Sequence, residues 1–282
     1  MKDGVMIALK ALAVYVASIA CSVLVLGSLG ISPGPHPSEG LLSAGTALLL
    51  VHGLTVGILL LVTAFATVRG FALGALIFLI LFGTQTAMMQ IETLAFNRSV
   101  GMPLRDVMAL VVAGAANAAA VAAMVSLLFR GSSGGALPPP PHLSWRLAVA
   151  TLAYVACYYG AGQFIAWSSA AVREYYGQGE GIDQRFLLPF QLFRGLLWSL
   201  IALFLALRLK GPFLHRVAIM TLLFPMLTAP LLLYPNSYMP LAVAQAHLIE
   251  IAVSEAIWGA IAALLLLPRR LKESIPAGSA PA

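Results

Sequence analysis

Charged side chains are scarce in this chain. Asp, Glu, Lys and Arg make up only 9% of its 282 residues, whereas 61% are hydrophobic. A soluble domain of this length usually carries about a quarter charged residues, because its surface must face water. So few charges cannot cover the surface, which indicates that lipid covers most of it. The apolar runs are too long for barrel strands, which alternate and run only about ten residues. We therefore predict an all-α, polytopic integral membrane protein.

The signatures of several enzyme classes are also absent. The sequence has no Gly-x-x-x-x-Gly-Lys-Ser/Thr phosphate loop, no His-Glu-x-x-His zinc motif and no Gly-x-Ser-x-Gly nucleophile turn. Its two cysteines, Cys21 and Cys157, lie inside apolar runs, which favours a packing role. We predict no cofactor and no resident metal. The net charge of +6 does not indicate a nucleic-acid partner, because the basic residues lie mostly at the ends of apolar runs.

Eight segments are long and apolar enough to cross a bilayer. A crossing requires roughly 20 mainly apolar residues at about 1.5 Å per residue. The predicted spans are residues 5–29, 41–68, 71–96, 104–129, 145–169, 186–209, 213–234 and 239–267. The remaining segments are short, and they leave no room for a soluble catalytic domain.

The distribution of Lys and Arg between the spans predicts the orientation. The face that carries the N-terminus has eleven of them, namely Lys2, Lys10, Arg69, Arg130, Arg146, Arg208, Lys210, Arg216, Arg269, Arg270 and Lys272. The opposite face has four, namely Arg98, Arg105, Arg173 and Arg185. Because cytoplasmic loops carry the excess of Lys and Arg, we predict a protein of the cell membrane with both termini in the cytoplasm.

Short motifs recur at a separation of about 140 residues. The recurring pairs are Cys21 and Cys157 (offset 136), His52-Gly53-Leu54 and Arg194-Gly195-Leu196 (142), Arg69-Gly70 and Lys210-Gly211 (141), and Met102-Pro103-Leu104 and Met239-Pro240-Leu241 (137). They predict a tandem 4+4 repeat with halves 1–130 and 145–270, a linker 131–144 and a tail 271–282. Because each half has an even number of spans, the halves would lie parallel, related by an axis along the membrane normal. The motifs are short, so chance recurrence is the alternative.

Several ionisable and polar residues interrupt the apolar spans. An ionisable side chain inside a span costs about 2.5–3.5 kcal/mol on insertion scales, so its presence indicates a partner or a use. Measured from the outer end of each span, Arg194 and His247 lie about 12 Å deep, and His52 and Glu250 about 16 Å deep. These four residues thus fall in one layer. In addition, Glu92 lies nearer the outer surface, and Gln191 lies one turn above Arg194.

Helical spacing predicts how these side chains face one another. His247, Glu250 and Ser254 share a face of the eighth span, and Gln85 and Glu92 form one stripe on the third. Arg194 stays charged at any relevant pH. The least costly arrangement places Glu250 or Glu92 against it, and we predict that it pairs with Glu250, with His247 hydrogen-bonded beside the pair. Glu255 is expected to point elsewhere and deeper.

These residues favour a transporter for a small solute or ion, linked to protons. The predicted site consists of Arg194, His247, Glu250, Glu92, His52 and Gln191, and the predicted partners are the lipid bilayer and the solute. One alternative is an intramembrane enzyme acting on a lipid-borne substrate, with His247 and Glu250 as acid–base groups or, joined by His52, as metal ligands. The other is a non-catalytic assembly protein. The same polar groups are also typical of helices locked together for stability, and for His52 that structural role is the favoured one.

Overall fold

The computed structural model describes residues 2–177 and 184–268, and this part of the chain is all-helical. The α-helices are α1 (Lys2–Leu29), α2 (Ala44–Phe65), α3 (Gly70–Leu81), α4 (Met89–Ala95), α5 (Asn97–Val100), α6 (Leu104–Leu128), α7 (Leu143–Ala161), α8 (Ala170–Gly177), α9 (Gln184–Ala206), α10 (Phe213–Thr228) and α11 (Leu241–Leu266). Two π-helical segments, Phe82–Met88 and Gly162–Ala166, and one 3₁₀ segment, Ala229–Leu233, extend neighbouring α-helices.

Eight helical segments of the described chain are long and apolar enough to cross a membrane, which confirms the predicted number of spans. They are α1, α2, α3–α4 joined by the first π segment, α6, α7 with the second π segment, α9, α10 with the 3₁₀ segment, and α11. Large apolar side chains such as Phe71 (87% exposed) and Phe164 (81% exposed) project from this bundle. Such a surface fits a lipid surrounding and not water.

The second span is shorter than its apolar run. Ser43 ends the preceding loop, and its hydroxyl accepts a hydrogen bond from the backbone N–H of Thr46, which fixes the start of α2. At the other end α2 stops at Phe65, because the next residues extend and pair with the end of α9. Thr67 N–H donates to Arg208 O, and Lys210 N–H donates to Phe65 O, both at 2.7 Å. The ends of the second and sixth spans therefore meet.

The helices pack in two similar groups. In the first group α1 packs against α2 and α6, and α3 packs against α6. In the second group α7 packs against α9 and α11, and α10 packs against α11. The groups meet where α2 contacts α10 and where α3 contacts α9. We call the side of the bundle at which α1 begins the proximal face, and the opposite side the distal face.

Each face is held by its connections. On the proximal face Gly134 N–H donates to Thr67 O and Leu137 N–H to Leu207 O, so the proline-rich linker crosses both groups. Arg269, Arg270 and Lys272, counted above for orientation, lie outside the described residues. On the distal face segment 30–43 packs against segment 234–240. Asp106, at the start of α6, accepts hydrogen bonds there from Ser32 N–H (3.2 Å) and the Tyr238 hydroxyl (3.1 Å).

Candidate functional site

A cavity of about 400 Å³ lies between α4, α7, α8, α9 and α11. Its inner wall includes Tyr154 and Trp258, which lie well inside the bundle. Its other end includes Val100 and Trp167, which lie near the distal face. Arg194, Glu92, His247 and Glu250, four of the six predicted site residues, line this single space. The volume is in the range of pockets that bind small organic molecules, which run from about 300 to 1,000 Å³.

Arg194 pairs with Glu92 across this cavity. Its Nη2 donates to Glu92 Oε2 at 2.8 Å and its Nη1 to Glu92 Oε1 at 2.9 Å. The Arg194 side chain is 2% exposed and that of Glu92 28%. Two parallel bonds are the arrangement in which a planar guanidinium matches a carboxylate. The predicted Arg194–Glu250 pair is therefore wrong, because Glu92 occupies both terminal nitrogens of the guanidinium.

The first π segment separates Glu92 from Gln85. The side chains of these two residues were predicted to share one face, but Gln85 Nε2 donates to Thr55 Oγ1 on α2 at 2.9 Å, whereas Glu92 lines the cavity. A π turn has a wider hydrogen-bond spacing than an α turn, so it rotates the residues that follow it around the helix axis. The segment Phe82–Met88 thereby changes the face on which Glu92 lies, and this change cannot be derived from regular α-helical spacing.

The surroundings of Arg194 hold its side chain in place. Gln191, predicted one turn away, is fully buried, and its Oε1 accepts a hydrogen bond from Arg194 Nη1 at 3.1 Å. The guanidinium carbon lies 5.9 Å from the ring centre of Tyr154 and 5.7 Å from that of Phe190. Gly195 lets α9 approach α7 closely, since a Cβ there would lie 2.9 Å from a ring carbon of Tyr154. The motif Arg194-Gly195 thus brings the charge to the cavity wall.

His247 and Glu250 form a second polar pair on α11. The Nδ1 of His247 lies 2.5 Å from Glu250 Oε2, and its Nε2 lies 3.3 Å from the Tyr176 hydroxyl on α8. Burial raises the pKa of Tyr176, so its hydroxyl keeps its proton at physiological pH. When Tyr176 donates to Nε2, Nδ1 carries the ring proton and donates to the Glu250 carboxylate. The predicted contact between His247 and Glu250 is confirmed, without Arg194 as the third member.

Glu255 also lines the cavity, contrary to the expectation that it points elsewhere. It is 7% exposed, and its Oε2 has no hydrogen-bond partner among the residues that the structure describes. The signal for this residue was its acidic side chain in an apolar run. Helical spacing from His247 and Glu250 predicted a narrower cavity-facing side of α11 than the structure has. The residues of α11 that line the cavity run from His247 to Trp258 and include Glu255.

His52 lies in a separate polar cluster. Its Nδ1 is 2.7 Å from the Ser18 hydroxyl, which also donates to Asn117 Oδ1 at 3.0 Å. The cluster joins α1, α2 and α6, and within the described residues His52 is not part of the cavity wall. A shared depth therefore did not mean a shared site. The structure also brings no group of three His, Cys, Asp or Glu residues together for a metal in the described chain, so the trio His52, His247 and Glu250 does not form there.

No protein-family model, curated protein or solved structure matches this chain. The wall of the cavity offers a guanidinium neutralised by Glu92, a hydrogen-bonded histidine–carboxylate pair, and a carboxylate with one oxygen that has no partner in the described chain. These groups suit the binding and release of a small charged or protonatable solute.

Proposed function

We propose that this protein is a proton-linked carrier for a small solute, which binds in the cavity between α4, α7, α9 and α11. The observation that carries the proposal is the convergence of Glu92, Arg194, His247, Glu250 and Glu255 on one cavity inside a bundle of membrane-spanning length. Ionisable side chains in membrane segments are costly and commonly mark substrate, ion or proton pathways.

A purely structural role accounts for only part of this arrangement. Interhelical hydrogen bonds inside membranes contribute about 1 kcal/mol each, and the Arg194–Glu92 pair forms such bonds between α9 and α4. Glu255 gives no such benefit, because its Oε2 finds no partner in the described chain. A nearly buried carboxylate left in this state costs stability, which favours a use in binding.

The His247–Glu250 pair supplies a group that can take up and release a proton. An imidazole can carry a proton on either ring nitrogen or on both, and the Nδ1 of His247 is already hydrogen-bonded to Glu250. If His247 Nε2 took up a proton, it would donate a hydrogen bond to the Tyr176 hydroxyl instead of accepting one from it. Solute binding next to Glu250 would in turn change the affinity of this pair for protons, which is the coupling a carrier requires.

The packing of the helices supports a tandem repeat of residues 1–130 and 145–270. The neighbours of α1, α2, α3 and α6 correspond to those of α7, α9, α10 and α11. The offsets of 136, 142 and 137 residues relate Ser18 to Tyr154, His52 to Arg194, and Asn117 to Ser254. Ser18, His52 and Asn117 meet in one hydrogen-bonded cluster. Their counterparts Tyr154, Arg194 and Ser254 line the cavity. Repeats of this kind permit alternating access by movement of one half against the other.

The carrier is expected in the cell membrane with both termini in the cytoplasm. This orientation is supported by the even number of spans and by the excess of Lys and Arg on the N-terminal side. Reporter enzymes fused after Glu39, on the distal face, and after the C-terminus test it. The distal fusion should report an outside position and the C-terminal fusion a cytoplasmic one, and the reverse pattern would refute the orientation.

Transport is tested with purified protein in proteoliposomes that contain a pH-sensitive dye. A panel of cationic, anionic and neutral small solutes is added outside, and solute-dependent proton flux is measured. Glu250→Gln should abolish the flux while the variant remains folded in detergent. The matched control is Glu39→Gln, which changes an exposed carboxylate outside the cavity. Normal flux in the Glu250 variant, or no flux with any solute, would refute the carrier.

A further inference from the structure

We propose that the solute is an organic cation, with Glu255 and Glu250 as its counter-charges and the aromatic walls as the contact for its body. This inference rests on the carrier function proposed above and specifies its substrate class. It follows from the balance of charge in the cavity, from the rings that line it and from its size.

The charge balance of the cavity is negative. Glu92 on α4 and Arg194 on α9 neutralise each other through two hydrogen bonds. Among the described residues of the wall, the other carboxylates are on α11, where Glu250 is hydrogen-bonded to His247 and Glu255 keeps an unpartnered oxygen. The remaining titratable groups on the wall are Cys157 and the tyrosines of α7 and α8. Two carboxylates thus lack a permanent counter-cation.

An anionic solute is disfavoured by the same geometry. Among the described residues of the wall only Arg194 carries a guanidinium, and it uses both terminal nitrogens for Glu92 and one of them also for Gln191. The third guanidinium nitrogen, Arg194 Nε, has no partner in the described chain but is buried, and an anion in the cavity would meet the carboxylates of Glu92, Glu250 and Glu255. Like charges that share a small space of low dielectric constant repel each other strongly. A cation, in contrast, would supply a counter-charge for Glu255, whose buried Oε2 has no hydrogen-bond partner among the described residues.

Aromatic rings provide the second part of the recognition. The rings that line the cavity include those of Phe96, Tyr154, Tyr158, Trp167, Tyr176 and Trp258. The faces of such rings attract ammonium groups, and desolvation strengthens this attraction. A carboxylate at the inner end and rings around it form the kind of pocket that binds alkylammonium ions. The volume of about 400 Å³ limits the solute to a small organic cation.

Cation binding and proton binding would exclude each other at the carboxylates. A proton held by Glu255 or by the His247–Glu250 pair leaves when the cation arrives and returns when the cation departs. The exchange needs no other reactant, since the proton passes to water on the side to which the cavity is open. The resulting movement is a cation in one direction and a proton in the other.

The test compares three probes with the same aromatic body in wild-type protein. They are benzyltrimethylammonium, its neutral isostere neopentylbenzene, and the anion phenylacetate. Equilibrium dialysis of radiolabelled benzyltrimethylammonium, with the other two as competitors, measures binding in detergent. We expect saturable binding of the cation at least about tenfold tighter than that of either competitor, together with proton release. Phenylacetate or neopentylbenzene binding as tightly as the cation would overturn the inference.

Variants then locate the binding. Glu255→Gln should weaken binding of benzyltrimethylammonium by at least about tenfold, and Glu39→Gln should leave it unchanged. Tyr158→Leu should weaken it by roughly two- to thirtyfold, whereas Tyr158→Phe, which keeps a ring face, should not. Unchanged binding in the Glu255 variant would refute the assigned counter-charge. Proton-linked flux with anionic or neutral solutes alone would refute the cation class but leave the carrier function intact.

Discussion

Arg194 and Glu92 are joined by hydrogen bonds of 2.8 and 2.9 Å although 102 residues separate them in the chain. This pair links α9 to α4 and thereby connects the two groups of helices. Because the two charges neutralise each other, removal of one residue leaves the charge of the other without a partner.

Removal of Glu92 alone should destabilise the protein. Glu92→Gln leaves a nearly buried guanidinium without its counter-charge, which costs about 3–5 kcal/mol in a fully buried pair. Because Glu92 is 28% exposed, we expect about 2–3 kcal/mol. The double variant Glu92→Gln/Arg194→Met should recover most of that loss, since neither charge remains. Thermal unfolding in detergent measures both, and a double variant less stable than Glu92→Gln would contradict this account.

The same series distinguishes the observed pair from the predicted one. Glu250→Gln does not leave Arg194 unpaired and should therefore cost less stability than Glu92→Gln. If Glu250→Gln proved the more destabilising variant, and Arg194→Met rescued it, the pairing would be Arg194 with Glu250.

Because of two tyrosines on the distal face, the free energy of unfolding should decrease at alkaline pH. Burial raises the pKa of Tyr175 and of Tyr234 to about 12. Because the folded pKa lies above the unfolded value of about 10, the contribution of each phenol is fully present below about pH 10 and is lost as the pH rises through 12. Melting temperatures measured from pH 8 to 12 should therefore decrease between about pH 10 and pH 12. The double variant Tyr175→Phe/Tyr234→Phe should show a smaller fall; an identical slope would contradict the assignment.

The Tyr238 hydroxyl should stabilise the junction between the two distal segments. It lies 3.1 Å from Asp106 Oδ2 and 3.0 Å from Ser32 O, and Asp106 is almost completely buried. Tyr238→Phe leaves this carboxylate with one fewer donor, which we expect to cost about 1–3 kcal/mol in denaturant unfolding. Tyr15→Phe is the control, because that hydroxyl bonds to Leu49 O in an exposed position and should cost less. Equal losses for both variants would argue against a special role for Asp106.

The spans were predictable because lipid imposes a simple rule of length and apolarity on each helix. The choice between Glu92 and Glu250 as the partner of Arg194 follows no such rule. It depends on how each helix is rotated about its axis, and the π segment Phe82–Met88 changes that rotation. Depth along the helix placed His52 in the same layer as Arg194, but the two lie in different groups of helices. Equal depth therefore does not bring residues together when they belong to different groups.

The two histidines should consequently differ in what they do. His247 faces the cavity, between Glu250 and Tyr176, whereas His52 bonds to Ser18 in a separate cluster. In the proteoliposome assay His247→Gln should abolish proton-linked flux with little loss of stability, because the glutamine amide can still donate a hydrogen bond to Glu250 but cannot take up a proton. His52→Gln should lower the melting temperature, since it disturbs a buried bond between α1 and α2, yet leave the flux per folded molecule unchanged. If instead His52→Gln stopped the flux in folded protein and His247→Gln did not, the proton path would run through the first helix group, and the cavity lined by α11 would not be the site of coupling.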